Sequence, residues 1–166
     1  MADAVVISSL AFLHLVSAIA WFGGVAFFVS SVAPGLRKMS PAARIEFSAR
    51  IGPGIVRFYG ISATLTIVFG LALLYEGFGG NPSAWPTSLD IGFSLGFIAY
   101  LVALIVTVPA SRRLDKISQG LVNNPNAGPP PPEFAKNFKT LGMGAIVIAI
   151  LLLLATAFMV GTAFPF

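Results

Sequence analysis

Apolar residues in this chain neither alternate with polar ones, as in a half-buried strand, nor mark out one stripe of a surface helix. They run on for about 20 residues or more, the length a helix needs to cross the ~30 Å hydrocarbon core of a bilayer. This happens four times, with the charged residues gathered between the runs. The pattern predicts spans over residues 4–32, 55–75, 91–110 and 140–163. A short interfacial helix over 41–51 and a Pro-rich linker over 123–132 complete the chain. The expected fold is all-α: an integral membrane four-helix bundle, forming a single transmembrane domain over 1–166.

Local signals place the boundaries. Pro34-Gly35 is expected to end the first span. Ser40-Pro41 is a helix start, with Ser as N-cap and Pro in the first turn. Ala42, Ile45 and Ala49 would then share a face, and Gly52-Pro53-Gly54 would close that helix. Arg57 lies near the start of the second span, where its head can snorkel to the interface. The loop over 76–90 is rich in Gly and Pro, and Tyr75 and Trp85 fit an aromatic belt. Asp90 is an expected N-cap for the third span. Gly92, Gly96, Ala99 and Ala103 form a small-residue stripe suited to close helix packing. Pro109 marks a kink or an end. Arg112, Arg113 and Lys116 follow on an amphipathic extension with Leu114, Ile117 and Leu121. The four prolines of the linker favour a stiff polyproline II connector.

Composition supports lipid as the solvent. Hydrophobic residues make up 57% of the 166 and charged residues only 10%, where a soluble domain carries about 25% charged. Mean hydropathy is +0.90. The net charge of +4 and a pI near 9.9 do not imply nucleic acid, because topology accounts for the cations. All ten Lys and Arg fall in the first and third connections, five in each with Arg57, while the other side carries only Asp3, Glu76 and Asp90. The positive-inside rule puts both termini outside and both basic loops in the cytoplasm. Two helical hairpins with basic tips are the one candidate internal repeat. The first segment begins Met-Ala-Asp and is too long for a secretory signal core, so it is expected to be retained.

Candidate chemistry is sparse. There is no cysteine, which excludes disulfides, thiolate metal sites and Fe–S clusters. His14 is the only histidine. At membrane depth it is either polar glue bonded to a neighbouring helix or a ligand. Met159 lies at a similar depth in the last span, and a His/Met pair suits soft copper or haem iron. The outer carboxylates Glu76 and Asp90, with Asp3, could attract a cation above His14, or be solvated loop charges. Trp21 and Tyr100, near the membrane middle, either line a porphyrin or quinone pocket or simply pack. A hydrolytic triad, a phosphate-cradling Gly loop and a pump-type charged relay all lack their parts. An enzymatic role is therefore not the expected one.

The segment from His14 to Gly24, HLVSAIAWFGG, resembles the opening helix of the CopD-like copper-resistance membrane family: a histidine, an Ala-rich turn, a Trp and a Gly pair. An acidic loop after span 2, and Pro109 followed by Arg112-Arg113-Leu114, are similar to its compact four-span relatives. The resemblance implies a multi-pass protein of the prokaryotic plasma (inner) membrane that handles or transports copper, with His14, Met159, Glu76 and Asp90 as candidate ligands. The same segment is also similar to the first helix of HemJ-type protoporphyrinogen oxidases. That likeness implies a haem b redox protein, with His14 as axial ligand and Trp21 and Tyr100 in the pocket. Members of that family also carry a lysine and a second histidine around the third helix, and the expected span over 91–110 has neither. A third possibility is a structural subunit with no ligand, working with other membrane subunits or as a homo-oligomer. In every case the bilayer is a partner and nucleic acid is not.

Overall fold

The computed structural model describes residues 4–124 and 128–163, and for Thr162 and Ala163 the backbone only. The described residues form helices and turns, with no strand. Seven α-helices follow in order: α1 (Ala4–Phe27), α2 (Ala33–Lys38), α3 (Pro41–Arg50), α4 (Gly52–Phe78), α5 (Thr87–Val102), α6 (Val108–Asn123) and α7 (Pro132–Ala163). Short π-helical turns at Phe28–Val32 and Ala103–Thr107 join α1 to α2 and α5 to α6 without a break. Four helices are therefore long and apolar enough to cross a membrane: Ala4–Lys38, Gly52–Phe78, Thr87–Asn123 and Pro132–Gly161.

The π turns overturn the expected end at Pro34 and, of the two outcomes open at Pro109, rule out the end. Neither Pro34 nor Pro109 ends its helix. A proline inside an α-helix lacks an N–H and collides with the carbonyl four residues back. Those carbonyls belong to Ser30 and Ile105, each in the middle of a π turn. The wider turn makes room for the ring, so each helix continues past the bilayer thickness. The second and fourth spans also start earlier than expected, at Gly52 and Pro132. Gly52-Pro53-Gly54 is thus the first turn of α4 rather than a breaker, with Pro where a missing N–H costs nothing. Of the expected linker, Asn123 closes α6 and Pro132 opens α7, while residues 125–127 lie outside the described set.

Other local expectations are met or shifted by small amounts. Ser40 caps α3, its Oγ accepting from the Ala43 N–H at 3.3 Å. The buried residues of α3 are Ser48 and Ala49, and Ala42 is exposed. Asp90 is not an N-cap. It sits in the first turn of α5, which begins at Thr87, where its charge still complements the helix dipole. Gly79 ends α4 in the left-handed region (φ 60°), and its N–H bonds the Tyr75 carbonyl, a helix stop that favours glycine.

Packing divides the bundle into two hairpins. α1 lies along α4 and α5 along α7, α1 touches α7, and α4 and α5 barely meet. The core is narrow. Trp21 (2% exposed), Val25 and Phe28 meet Ala63, Ala99, Ile148 and Leu152. Large apolar side chains cover the outside instead, Ile19 at 62% and Ile105 at 69% exposure. Continuous apolar surface of this extent is what lipid tails solvate. The two basic connections meet at one end of the bundle, where α3 packs on α6 and Gln119 Nε2 donates to the Ala49 carbonyl at 2.6 Å.

Candidate functional site

His14 sits on α1 facing Gly70 of α4. A β-carbon at Gly70 would stand 3.0 Å from His14 Cε1, so glycine is what lets the ring approach. The His14 Nδ1 lies 2.9 Å from the Thr66 carbonyl oxygen. A carbonyl only accepts, so Nδ1 carries a proton, and Nε2 is the nitrogen whose lone pair the neutral ring would offer. Polar glue and a ligand-ready imidazole are therefore one arrangement here, because metal-bound imidazoles usually donate their other N–H in this way. The Thr66 hydroxyl is occupied within its own helix, donating to the Ser62 carbonyl at 2.7 Å.

His14 lines a cavity of about 100 Å³ to which all four membrane-crossing helices contribute. Met159 lines the same cavity from α7. It is held against α5 at Gly92, where a β-carbon would stand 2.8 Å from Met159 Cγ. The remaining wall is apolar or hydroxylic, with Phe93, Leu152 and Thr156 among its residues, and no carboxylate belongs to it. The structure thus brings together His14 and Met159 of the expected ligand set. It does not bring Glu76 or Asp90 to them: both are exposed and neither lines the cavity. Helix geometry explains this: Glu76 lies past Leu74, the last α4 residue to line the chamber, whereas Asp90 falls between the lining residues Leu89 and Phe93 but is on an exposed face of α5. Asp3 lies outside the described residues. Among the described residues no three His, Cys, Asp or Glu side chains converge, so any metal held here would need the thioether.

Trp21 and Tyr100 part company. Their rings meet edge to face at 6.4 Å. Trp21 lines the His14 cavity, whereas Tyr100 lines only a second, larger one of about 470 Å³ toward the basic end. Trp21 borders both cavities and so forms part of the partition. The larger cavity follows from the sparse contact between α4 and α5. Its walls carry Tyr59, Thr64 and Tyr100, and nearer the basic end Arg57, Arg112 and Asp115. Tyr100 and Thr64 share a hydroxyl–hydroxyl hydrogen bond of 3.2 Å across the gap. Asp115 Oδ1 is buried without a hydrogen-bond partner.

Sequence reasoning passed over Gly70, Tyr59 and Asp115. A lone glycine inside the bulky run TIVFGLALL is a recognisable sign of close approach. Tyr59 donates to the Gly24 carbonyl at 2.6 Å and covers that glycine, but nothing in the sequence pairs the two. Comparison with family models, curated proteins and solved structures gives no match for this chain, so its reading rests on this geometry.

Proposed function

We propose that this membrane protein handles copper, taking a single soft ion as cargo between His14 of the first membrane-crossing helix and Met159 of the last. One observation carries the reading: two soft donors from opposite ends of the chain line one small cavity that no carboxylate enters. Hard cations such as Ca²⁺ and Mg²⁺ require oxygen ligands, whereas imidazole with thioether suits Cu(I). The Thr66 carbonyl behind His14 supports the same reading, because it holds the ring in the tautomer that ligates through Nε2. With the basic end in the cytoplasm, as the positive-inside rule expects, the chamber belongs to the outer half of the bilayer. The resemblance of the first helix adds the prokaryotic inner membrane to the proposal.

A haem at His14 is less well supported. Pockets for ligands of that size run to roughly 300–1,000 Å³, and the His14 chamber is about 100 Å³. The 470 Å³ cavity is large enough and holds Trp21 and Tyr100, but His14 is not among its lining residues. A porphyrin there would lack the imidazole.

The test is elemental analysis and an absorption spectrum on one purified sample, followed by Cu(I) titration. We expect one equivalent of copper and no Soret band. His14→Ala and Met159→Leu should each weaken binding at least 10-fold, about 1.4 kcal/mol. A Soret band would move the assignment to haem. A metal-free protein whose His14→Ala variant functions unchanged would leave the role of a structural subunit.

A further inference from the structure

We propose that the groove between α2, α3 and α7 at the basic end is a specific binding site for one anionic phospholipid, distinct from the general lipid coat. The groove encloses about 490 Å³. Arg37, Arg44 and Lys139 line it, and no carboxylate does. Other cations at this end do have acidic company: Arg50 Nε pairs with Glu46 at 3.0 Å, and Arg57 and Arg112 share the larger cavity with Asp115. Arg44 carries the second observation. Its Nε is buried from solvent and donates to nothing in the protein. The rest of this side chain is half-buried, and a buried N–H without an acceptor is costly, so the guanidinium is poised for an anion at the groove. Two helices also begin at the groove, α3 at Pro41 and α7 at Pro132, and both prolines line it. The α3 dipole adds positive potential where the cations already lie, whereas that of α7 is offset by Glu133 in its first turn.

The apolar part of the groove identifies a lipid rather than a free anion. Phe134, Phe138, Gly142 and Ile146 follow one another at four-residue spacing along α7, and all line the groove. Residues so spaced lie on one helix face. The stripe is about 18 Å long at the usual helical rise, roughly the depth of one leaflet. Phe134 and Phe138 stack nearly parallel, centroids 6.4 Å apart, and form a flat wall. Gly142 leaves a trough, since a β-carbon there would touch nothing within 4 Å. A phosphate between Arg37, Arg44 and Lys139 with one acyl chain along this trough satisfies both halves of the surface. Basic pockets between helices at the cytoplasmic face are suited to anionic headgroups.

Native mass spectrometry of the full chain in detergent, titrated with phosphatidylglycerol or phosphatidylcholine, tests this without any variant. One phosphatidylglycerol should be retained at least 10-fold more tightly than phosphatidylcholine. Each surface cation contributes roughly a factor of five toward anionic lipid, so Arg44→Gln with Lys139→Gln should lose on the order of 25-fold. The matched change Arg113→Gln with Lys116→Gln removes the same charge from exposed positions outside the groove and should stay within about twofold. Equal retention of the two lipids would overturn the proposal. So would equal losses in the two double variants, or full displacement of the lipid by millimolar inorganic phosphate, which would assign the cations to a free anion.

Discussion

The two hairpins of the bundle share one plan and execute it with different chemistry. In each, the first helix carries a five-residue π turn, then one residue, then a proline: Phe28–Val32 before Pro34, Ala103–Thr107 before Pro109. In each, a basic extension follows. The seams differ. α1 and α4 are fastened by ring side chains that hydrogen-bond across to backbone carbonyls, His14 to Thr66 and Tyr59 to Gly24. α5 and the π turn after it are fastened to α7 by close contact at glycines, Met159 over Gly92 and Thr107 against Gly144. In lipid, apolar burial does not drive helices together, and packing at small residues and interhelical hydrogen bonds are the forces available. The α1/α4 seam combines the two, its hydrogen-bonded rings seated against Gly70 and Gly24, while the α5/α7 seam is built on glycine contact. The candidate copper chamber lies where the two kinds of seam face each other, its imidazole from the first and its thioether from the second.

The contrast breaks first at the glycines. A β-carbon at Gly24 would stand 2.6 Å from Tyr59 Cε1, on a ring whose hydroxyl is tied to the Gly24 carbonyl. At Gly92 the closest atom is Met159 Cγ at 2.8 Å, part of a flexible side chain, although the Ala155 carbonyl at 3.1 Å yields less. Gly24→Ala should therefore cost about 2–3 kcal/mol and Gly92→Ala about 1 kcal/mol, within the range for overpacking. Unfolding of both variants in the same micelles measures the order. The reverse order would mean that the tied ring is no more rigid than the thioether.

A smaller effect sharpens the link between seam and chamber. In Gly70→Ala the new methyl would lie 3.0 Å from His14 Cε1 and 3.1 Å from Nδ1. The ring must withdraw and lose its bond to Thr66, at a stability cost of about 0.6–1.7 kcal/mol. Copper affinity should fall as it does in His14→Ala, although the histidine is still present. Unchanged affinity would separate the ring's ligand role from its seat on Gly70.

The smallest expected effect concerns the shared plan. A proline in an unadapted helix interior costs about 3 kcal/mol. If the π turns absorb the clash, Pro34→Ala and Pro109→Ala should each gain less than about 1 kcal/mol, equally in both hairpins. A gain near 3 kcal/mol in either, read from the same unfolding curves, would show that its ring is strained rather than accommodated.

Much of the layout was legible because it depends on composition over long windows. Four apolar runs, the capped start of α3 and the amphipathic continuation beyond Pro109 could each be read from consecutive residues. The errors arose where a local rule met a tertiary remedy. Pro34 is a breaker by itself, but the extra residue in the π turn upstream removes the collision. Gly52-Pro53-Gly54 looks like a loop, but a proline in the first helical turn needs no N–H. At the candidate site, the depth of His14 and Met159 followed from rise per residue. That they line one cavity while Glu76 and Asp90 do not depended on how four helices rotate about their axes.

Sequence alone determined that this chain builds lipid-length helices, gathers its cations in two connections and owns a single imidazole, because hydropathy and charge are properties of residues one at a time. Only the tertiary structure decided which glycine receives that imidazole, that Trp21 borders both cavities, and that Arg37, Arg44 and Lys139 enclose a groove free of carboxylates. Those outcomes depend on helix rotation and register between segments distant in the chain. In a membrane these are set by sub-ångström fit at glycines and by single hydrogen bonds, which no window of consecutive residues encodes.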